Sequence, residues 1–355
     1  MNKNALALSV LLGSSLLGAC SDKQEAAPAP VEVKVVVVTM FEIGNDDGDA
    51  AGEFQTWKTN QQLTQAYAFP QSHHDLYLNP ETGVLGMVTG MGTNKSSSAI
   101  MALGLDPRFD LSKAYWLVAG ISGFDPQDAS IGSAAWAEWV VDGDLGHEID
   151  AREIPDGWNN GYFPLFSSGP EPEKRPADNG EVFHLNAGLT DWAFQLTKDT
   201  ELGDDPVVSA QRAAFTAYPN AQKPPFVLKG DTLSSMTFWH GNLLNDWANR
   251  WVSYWSEGQG EFVSSAMEDT GTAQSLRYLT RAGKADEQRL MVLRTASNFT
   301  IPDPGVTAAD NLIHSGENYS GLGLAIDSAY RVGSVVVNEI VSHWDEYKTT
   351  VPGKP

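Results

Sequence analysis

The sequence is short of cysteine, of positive charge and of long apolar runs. Cys20 is the only cysteine in 355 residues, so no disulfide can form within the chain. Lys and Arg total 23 against 45 Asp and Glu, which gives a formal net charge of −22. Such a negative field repels phosphate backbones, and we do not expect a nucleic acid partner. After residue 20 no apolar run reaches the roughly 18 residues that a membrane span needs.

Motifs for several common chemistries are also missing. The stretch TGMGTNKSSS (89–98) contains Gly90 and Gly92 but has neither the third glycine of a dinucleotide fingerprint nor P-loop spacing, and a tight strand-to-helix turn explains both glycines. His73 and His74 are adjacent, so their side chains would diverge on a strand, and no metal-ligand spacing stands out. There is no G-x-S-x-G run for a serine nucleophile. We therefore expect neither a cofactor nor a metal.

The N-terminus carries the clearest signal in the sequence. The segment MNKNALALSVLLGSSLLGAC has a Lys, an apolar run of signal-peptide length and small residues before Cys20. Its end, LLGAC (16–20), resembles the lipobox of bacterial lipoproteins, in which the cysteine is acylated after cleavage just before it. We expect a signal peptide over 1–19, an Ala/Pro-rich tether over 20–33 and a folded domain over 34–350. Ser21 follows the cysteine, which favours a lipid anchor in the outer membrane or on its periplasmic face.

Continuous apolar runs predict strands that are buried on both faces. They occupy 34–40, 114–124, 134–144 and 289–299, while 83–103 has the pattern of a strand, a glycine-rich turn and a helix. Strands separated by helical patterns predict an α/β fold with a mixed, mostly parallel sheet and helices on both faces. The segments 142–182 and 200–232 are irregular, as lids or the contacts of a homo-oligomer would be.

Ligands of such sheets bind beyond the carboxyl ends of the strands. Gly120, Ser122 and Ser297 lie at the ends of two predicted strands, and we expect them at a substrate site. Two acids, Glu268 and Asp269, precede a helical pattern that ends at Gly283. Because the helix dipole favours acids in the first turn, a charged helix start explains both of them without any function.

Five segments together resemble a known family. They are MFEIGNDDGDAAGEFQ (40–55), GMGTNKSSSAI (90–100), GISGFDPQDASIGSAAWAEWVVDGD (120–144), FWHGNLLNDWA (238–248) and MEDTGT (267–272). The chain is similar to the purine nucleoside permease family over about 34–345. It also resembles the wider nucleoside phosphorylase fold, which includes purine nucleoside phosphorylases and methylthioadenosine/S-adenosylhomocysteine nucleosidases. The resemblance implies a three-layer nucleoside phosphorylase-like fold.

The resemblance also implies a purine nucleoside site. Met267 would pack on the ribose and Glu268 would accept hydrogen bonds from its 2′- and 3′-hydroxyls, since a carboxylate accepts two donors at once. Asn298 would hydrogen-bond the departing base, although it also suits a turn that ends the strand. Phe238, or its neighbour Trp239, would stack on the purine, although either ring suits a core equally well.

Phosphate is where the sequence departs from the phosphorylases. Val118 and Ile121 stand near the positions where those enzymes supply an Arg and a Ser to phosphate. Water is then the expected nucleophile, and the resemblance to the nucleosidases implies a Glu after the first strand to hold it. Glu42 is the candidate, with Asp46 and Asp47 close behind. We expect N-glycosidic cleavage of a purine nucleoside by hydrolysis in preference to phosphorolysis. A capture protein for nucleoside uptake that performs no catalysis is the alternative.

The lipid anchor is tested by replacing Cys20 with Ala. We expect the Cys20→Ala protein to be released from membranes or to keep its uncleaved signal, because the acylated residue is gone. Fractionation followed by mass determination of the chain measures both outcomes. A variant that stays with membranes at the mature mass would contradict the lipoprotein interpretation.

Overall fold

The computed structural model describes residues 28–172, 174–314 and 321–353. Cys20 and the segment 1–19, which is predicted to be a signal peptide, therefore lie outside the described residues. The strands are β1 (Val31–Glu32), β2 (Val35–Thr39), β3 (Gln65–Tyr67), β4 (Leu76–Asn79), β5 (Val84–Val88), β6 (Phe109–Asp110), β7 (Tyr115–Phe124), β8 (Ala134–Ala137), β9 (Trp139–Asp142), β10 (His147–Glu148), β11 (Tyr162–Phe163), β12 (Val182–His184), β13 (Val227–Lys229), β14 (Asp231–Ser234), β15 (Phe262–Ala266) and β16 (Leu290–Phe299). The α-helices are α1 (Gln55–Asn60), α2 (Thr93–Gly104), α3 (Ala187–Thr197), α4 (Pro206–Arg212), α5 (Asn242–Trp255), α6 (Asp269–Arg281), α7 (Ala308–His314), α8 (Leu322–Ser342) and α9 (Trp344–Tyr347).

The central sheet is mixed, and its long path runs in the order β12-β9-β14-β15-β7-β2-β5-β4-β3. Parallel pairing holds the middle, where β2 lies between β5 and β7 and β16 lies parallel to β7. The β3–β4 and β4–β5 pairs at one edge are antiparallel. The predicted strands at 34–40, 114–124 and 289–299 are confirmed as β2, β7 and β16.

β2 shows why the sheet has helices on both faces. All five of its residues, VVVVT, are buried, and alternate side chains point to opposite faces of a strand. Val36 and Val38 pack in one apolar cluster with residues of α2 and α6. Val35 and Val37 pack in a second cluster with residues of α1, α3 and α8. The α/β fold with three layers is therefore confirmed.

One half of the sheet closes on itself. β16 pairs with β7 and with β8, β9 pairs with β14, and β15 joins β14 to β7. Because only Glu138 separates β8 from β9, these pairs form a closed, barrel-like path. The register of β16 against β7 shifts between Ala296 and Asn298, which leaves Ser297 as a bulge. Bulges bend a strand and redirect its side chains, and this one lies where two predicted site residues are found.

The folded unit begins before residue 34. Val31–Glu32 pairs in parallel with β6, and Val33 is buried in the first apolar cluster. The Ala/Pro-rich composition ends at Pro30, and the apolar residues after it supply a strand. At the other end Val351 is buried against the second cluster.

Within residues 28–172, 174–314 and 321–353, no helix is both long enough and apolar enough to cross a bilayer.

The packing of α2 on α6 yields a stability prediction. A methyl group added at Gly271 would come closer than 3.0 Å to the Thr93 carbonyl oxygen and to the Ser96 hydroxyl. We expect Gly271→Ala to lower the free energy of unfolding by about 1–3 kcal/mol, because backbone on the facing helix cannot yield easily. Denaturant unfolding measures the change.

Gly323→Ala is the matched control. Gly323 lies exposed in the first turn of α8, with open space where the methyl group would go. Alanine has the better helix propensity, so we expect no loss and a gain of up to about 1 kcal/mol. Equal destabilisation by both substitutions would show that the close helix contact is not the cause.

Candidate functional site

The N-terminus of α6 places Glu268 in the interior of the protein. Glu268 is the residue before the helix and is only 3% exposed. Its Oε1 accepts a hydrogen bond from the Gly92 backbone N–H at 2.9 Å, and its Oε2 lies 3.0 Å from Arg294 Nη2. Met267, immediately before it, is half-buried, and its carbonyl oxygen accepts a hydrogen bond from Thr93. The predicted site residues Met267 and Glu268 thus contact the glycine-rich turn at 90–93.

Arg294 is the cation around which the site is built. It lies on β16, is 1% exposed, and donates through Nε to both carboxylate oxygens of Asp269 at 3.1 and 3.2 Å. A further hydrogen bond joins Nη2 to Asp269, and Nη1 donates to the Ile121 carbonyl oxygen at 3.2 Å. Asp269 is therefore not only a helix-start acid. It is a full partner of a buried arginine.

Glu53 is the third carboxylate of this cluster, and it is 4% exposed. Its Oε2 accepts from the Met40 N–H at 2.7 Å and its Oε1 accepts from the Ile121 N–H at 2.8 Å. A methyl group added at Gly120 would come closer than 3.0 Å to Glu53 Oε1, to Arg294 Nη1 and to Met40. Glycine at 120 therefore permits the close approach of an acid and a base from different elements.

The cluster holds three carboxylates and one guanidinium, and burial shifts the pKa values of Glu53 and Glu268. Burial raises the pKa of Glu53 to about 8 from 4.5, against the opposing effect of Arg294. Burial also raises the pKa of Glu268, again opposed by Arg294. Burial disfavours the charged guanidinium, yet the carboxylates of Asp269 and Glu268 raise the pKa of Arg294 above its usual range.

Glu42 lies in a different environment from the one predicted. Its carboxylate accepts four backbone hydrogen bonds, from the N–H groups of Ile43, Gly52, Phe54 and Gln55. A carboxylate has about four lone-pair sites, so these bonds fill them all. Glu42 holds the start of α1 in place, and its carboxylate is occupied by backbone N–H groups.

The other acids of this loop also have partners. Asp46 binds His74 and the Tyr77 hydroxyl, at 2.5 and 2.7 Å, and Asp47 pairs with Lys58. These contacts fasten the loop to the protein. Within the described ranges, no three His, Cys, Asp or Glu side chains are arranged to hold a metal ion.

The remaining strand-end residues line the same edge of the sheet. Ser122 is 6% exposed, and within the described residues its buried hydroxyl has no hydrogen-bond partner. The Ser297 hydroxyl donates to the Ser122 carbonyl oxygen at 3.2 Å and to Asn298 Oδ1 at 2.9 Å. Asn298 stands opposite Gly123, and its amide donates to the Phe299 carbonyl oxygen at 3.0 Å. The bulge at Ser297 thus sets the position of Asn298 beyond the Arg294 cluster.

The two aromatic candidates separate clearly. Trp239 is 8% exposed and packs with Trp247 and Phe262 in an aromatic cluster. Phe238 is 47% exposed. Phe238 therefore has a ring face available to a ligand, whereas Trp239 serves the core. Met236, two residues earlier, lies close to Gly92, whose backbone N–H binds Glu268.

The chain matches a family profile over most of its length. Residues 32–352 match the family described as purine nucleoside permease (NUP). The chain belongs to this family. A probable purine nucleoside permease of Schizosaccharomyces pombe is 28% identical over 337 residues, which cover 88% of this chain and 90% of that protein. A purine nucleoside permease of Candida albicans is also 28% identical, over 320 residues that cover 89% of this chain and 77% of that protein.

Solved structures are similar in fold. A putative 5′-methylthioadenosine/S-adenosylhomocysteine nucleosidase of Francisella philomiragia superposes with a TM-score of 0.50 at 15% identity, covering 85% of this chain and 98% of that one. Futalosine hydrolase of Helicobacter pylori superposes with a TM-score of 0.50 at 11% identity, covering 86% and 98%. The nucleoside phosphorylase-like fold is thereby confirmed.

Sequence reasoning missed Glu53, Arg294 and the partnership of Asp269. Arg294 was visible as an isolated cation in LMVLRTASNF, where every other residue before Ser297 is uncharged. A charge inside an apolar strand needs a buried partner, and that signal pointed to nearby acids. Glu53 had no comparable signal, because ten residues of loop separate it from Glu42.

The raised pKa of Glu53 predicts how its burial affects stability. A carboxyl group whose folded pKa lies above its unfolded value stabilises the protein fully below the unfolded pKa, near 4.5, and this contribution disappears as pH rises through about 8. We expect wild type to lose about 2–4 kcal/mol relative to Glu53→Gln between pH 5 and pH 8.5. Denaturant unfolding at several pH values measures the difference.

Glu32→Gln removes an exposed acid on β1 and serves as the control. It should follow wild type at every pH. If Glu53→Gln also follows wild type, the Glu53 carboxyl does not titrate differently in the folded and unfolded states.

Proposed function

We propose that this protein binds a purine nucleoside and cleaves its N-glycosidic bond by hydrolysis. The observation that carries the proposal is the arrangement of Glu53 and the Glu268–Arg294 ion pair around Gly120 and Ile121, where strands of the sheet end. The family name and the nucleosidases of similar fold support a purine nucleoside as the ligand. Glu268 holds the ribose through its 2′- and 3′-hydroxyls, and Met267 packs on the sugar.

Glu53 positions and activates the water. Each of its oxygens accepts one backbone N–H, which leaves about two lone-pair sites on the carboxylate for a water hydrogen. The water oxygen forms the bond to C1′, the bond from C1′ to the base nitrogen breaks, and the base departs with the electron pair. The proton that the water loses passes to Glu53, which acts as a general base.

Asn298 and Phe238 act on the base. An amide hydrogen-bonds a purine but does not protonate it, so Asn298 stabilises the departing base without donating a full proton. Phe238 stacks on the purine face, an interaction worth about 1–3 kcal/mol. Ser122 and Ser297 support this side of the pocket, and the buried Ser122 hydroxyl offers a hydrogen bond to the ligand.

Nucleoside capture without cleavage is the second candidate. The curated relatives carry the name permease, and the predicted lipid anchor at Cys20 would present the protein at the cell envelope, where substrate is taken up. Glu268 and Phe238 serve binding as well as cleavage. Glu53 separates the two functions, because a capture protein has no need of a water-activating acid.

The function is tested with inosine in the presence and absence of phosphate. We expect hypoxanthine release that does not depend on phosphate, with free ribose as the sugar product. Glu53→Gln should lower kcat by about 100-fold or more, because removal of a general base costs about that much, while inosine binding changes little. Chromatography of the products and binding calorimetry measure these quantities.

The same change at Glu42 discriminates between the two acids. Glu42→Gln should lower stability, because the start of α1 loses acceptors, and leave the kcat of the folded enzyme within about three-fold, since our mechanism assigns Glu42 no catalytic role. A larger loss of kcat at Glu42 than at Glu53 would restore the first assignment. Ribose 1-phosphate among the wild-type products would refute hydrolysis. Tight inosine binding without base release would favour capture.

A further inference from the structure

Asp269 lies behind the site and is directed at Arg294. It is fully buried, both of its oxygens contact the guanidinium, and Oδ2 also accepts a hydrogen bond from the Thr232 hydroxyl at 3.1 Å. Glu268 takes another N–H of the same guanidinium and Ile121 takes one more. Within the described part of the chain, a single N–H on Nη1 is left over.

The positive charge of Arg294 is therefore offset by carboxylates inside the protein. The guanidinium is the only cation of the cluster, and three carboxylates surround it. An anion that reached the sugar site would meet the Glu268 carboxylate, and above a pH of about 8 the Glu53 carboxylate as well, while the positive charge of Arg294 is already paired. In a buried site such repulsion is strong, because little water screens it.

We propose that Asp269 determines the class of nucleophile. By neutralising Arg294 it makes the site reject inorganic phosphate and leaves water as the acceptor of the sugar. This inference rests on the hydrolysis proposed above for the choice of nucleophile. Its physical core, the rejection of anions, is independent of any turnover. Asp269 does not contact the substrate, and it is a positioning and specificity-determining residue that acts through Arg294.

The test compares wild type with Asp269→Asn. Asparagine keeps the shape of the side chain and removes its charge, which leaves Glu268 as the one carboxylate hydrogen-bonded to Arg294 and weakens the repulsion of an anion. Thermal unfolding is followed against phosphate and sulfate at constant ionic strength, with chloride as the reference salt. We expect no saturable shift of Tm in wild type and a saturable rise in Asp269→Asn. Half-saturation should fall at an anion concentration at least about ten-fold below any effect on wild type.

The chain contains a matched control. Arg212 is buried and pairs with Asp204 through two hydrogen bonds of 2.6 and 2.8 Å. Asp204→Asn makes the same chemical change at another arginine. With inosine and phosphate, ribose 1-phosphate should appear with Asp269→Asn and be absent with Asp204→Asn and wild type. Asp269→Ser is tested in parallel, so that the comparison does not depend on the folding of one replacement.

The outcomes separate cleanly. A saturable phosphate effect on wild-type Tm overturns the proposal, and so does a failure of every Asp269 variant that folds to bind anions. Anion binding gained by Asp269→Asn or Asp269→Ser alone supports it. If no protein releases base from inosine, the proposed hydrolysis fails, while the thermal titrations still decide whether Asp269 excludes anions.

Discussion

The buried guanidinium of Arg294 is the constraint on which the rest of the site depends. A charge removed from water is costly unless carboxylates and carbonyls surround it. Asp269 accepts three hydrogen bonds at the start of α6, Glu268 accepts another, and the Ile121 carbonyl on β7 accepts one more. One side chain thereby fixes the relative positions of β16, β7 and α6. Glu268, the proposed sugar-binding acid, is held in place by the same contacts that stabilise the fold.

The excess of acids in this cluster has a consequence for both stability and function. Burial raises the pKa of Glu53 to about 8, and the nearby Glu268 carboxylate adds to this effect, so Glu53 keeps a proton up to about that pH. In the proposed mechanism ionised Glu53 activates water, and it is also the form that burial disfavours. Activity and stability therefore respond to pH in opposite directions, as is common where a site stores an unfavourable charge.

Much of the fold was predictable because its signals are local. The run VVVVT predicts a strand that is buried on both faces, and the acids before TAQSLRYL indicate the start of α6. Glu53 was not predictable in this way. The loop turns back so that the Glu53 N–H donates to the Phe41 carbonyl oxygen at 3.1 Å. Because of this turn, Glu53 rather than Glu42 lies near Arg294. The choice between Phe238 and Trp239 likewise required the packing of Trp239 against Trp247 and Phe262, which the sequence does not reveal.

The energetics of the cluster bear on the choice between capture and cleavage. A protein that only binds a nucleoside can hold the ribose with one carboxylate and with neutral hydrogen bonds. It needs no second buried acid. Glu53 raises the cost of folding at neutral pH, and Gly120 gives up a side chain so that Glu53 and Arg294 can approach each other. An arrangement that lowers stability persists when its strain serves a reaction. The position of Glu53 is therefore the strongest physical argument that the nucleoside is cleaved where it is bound.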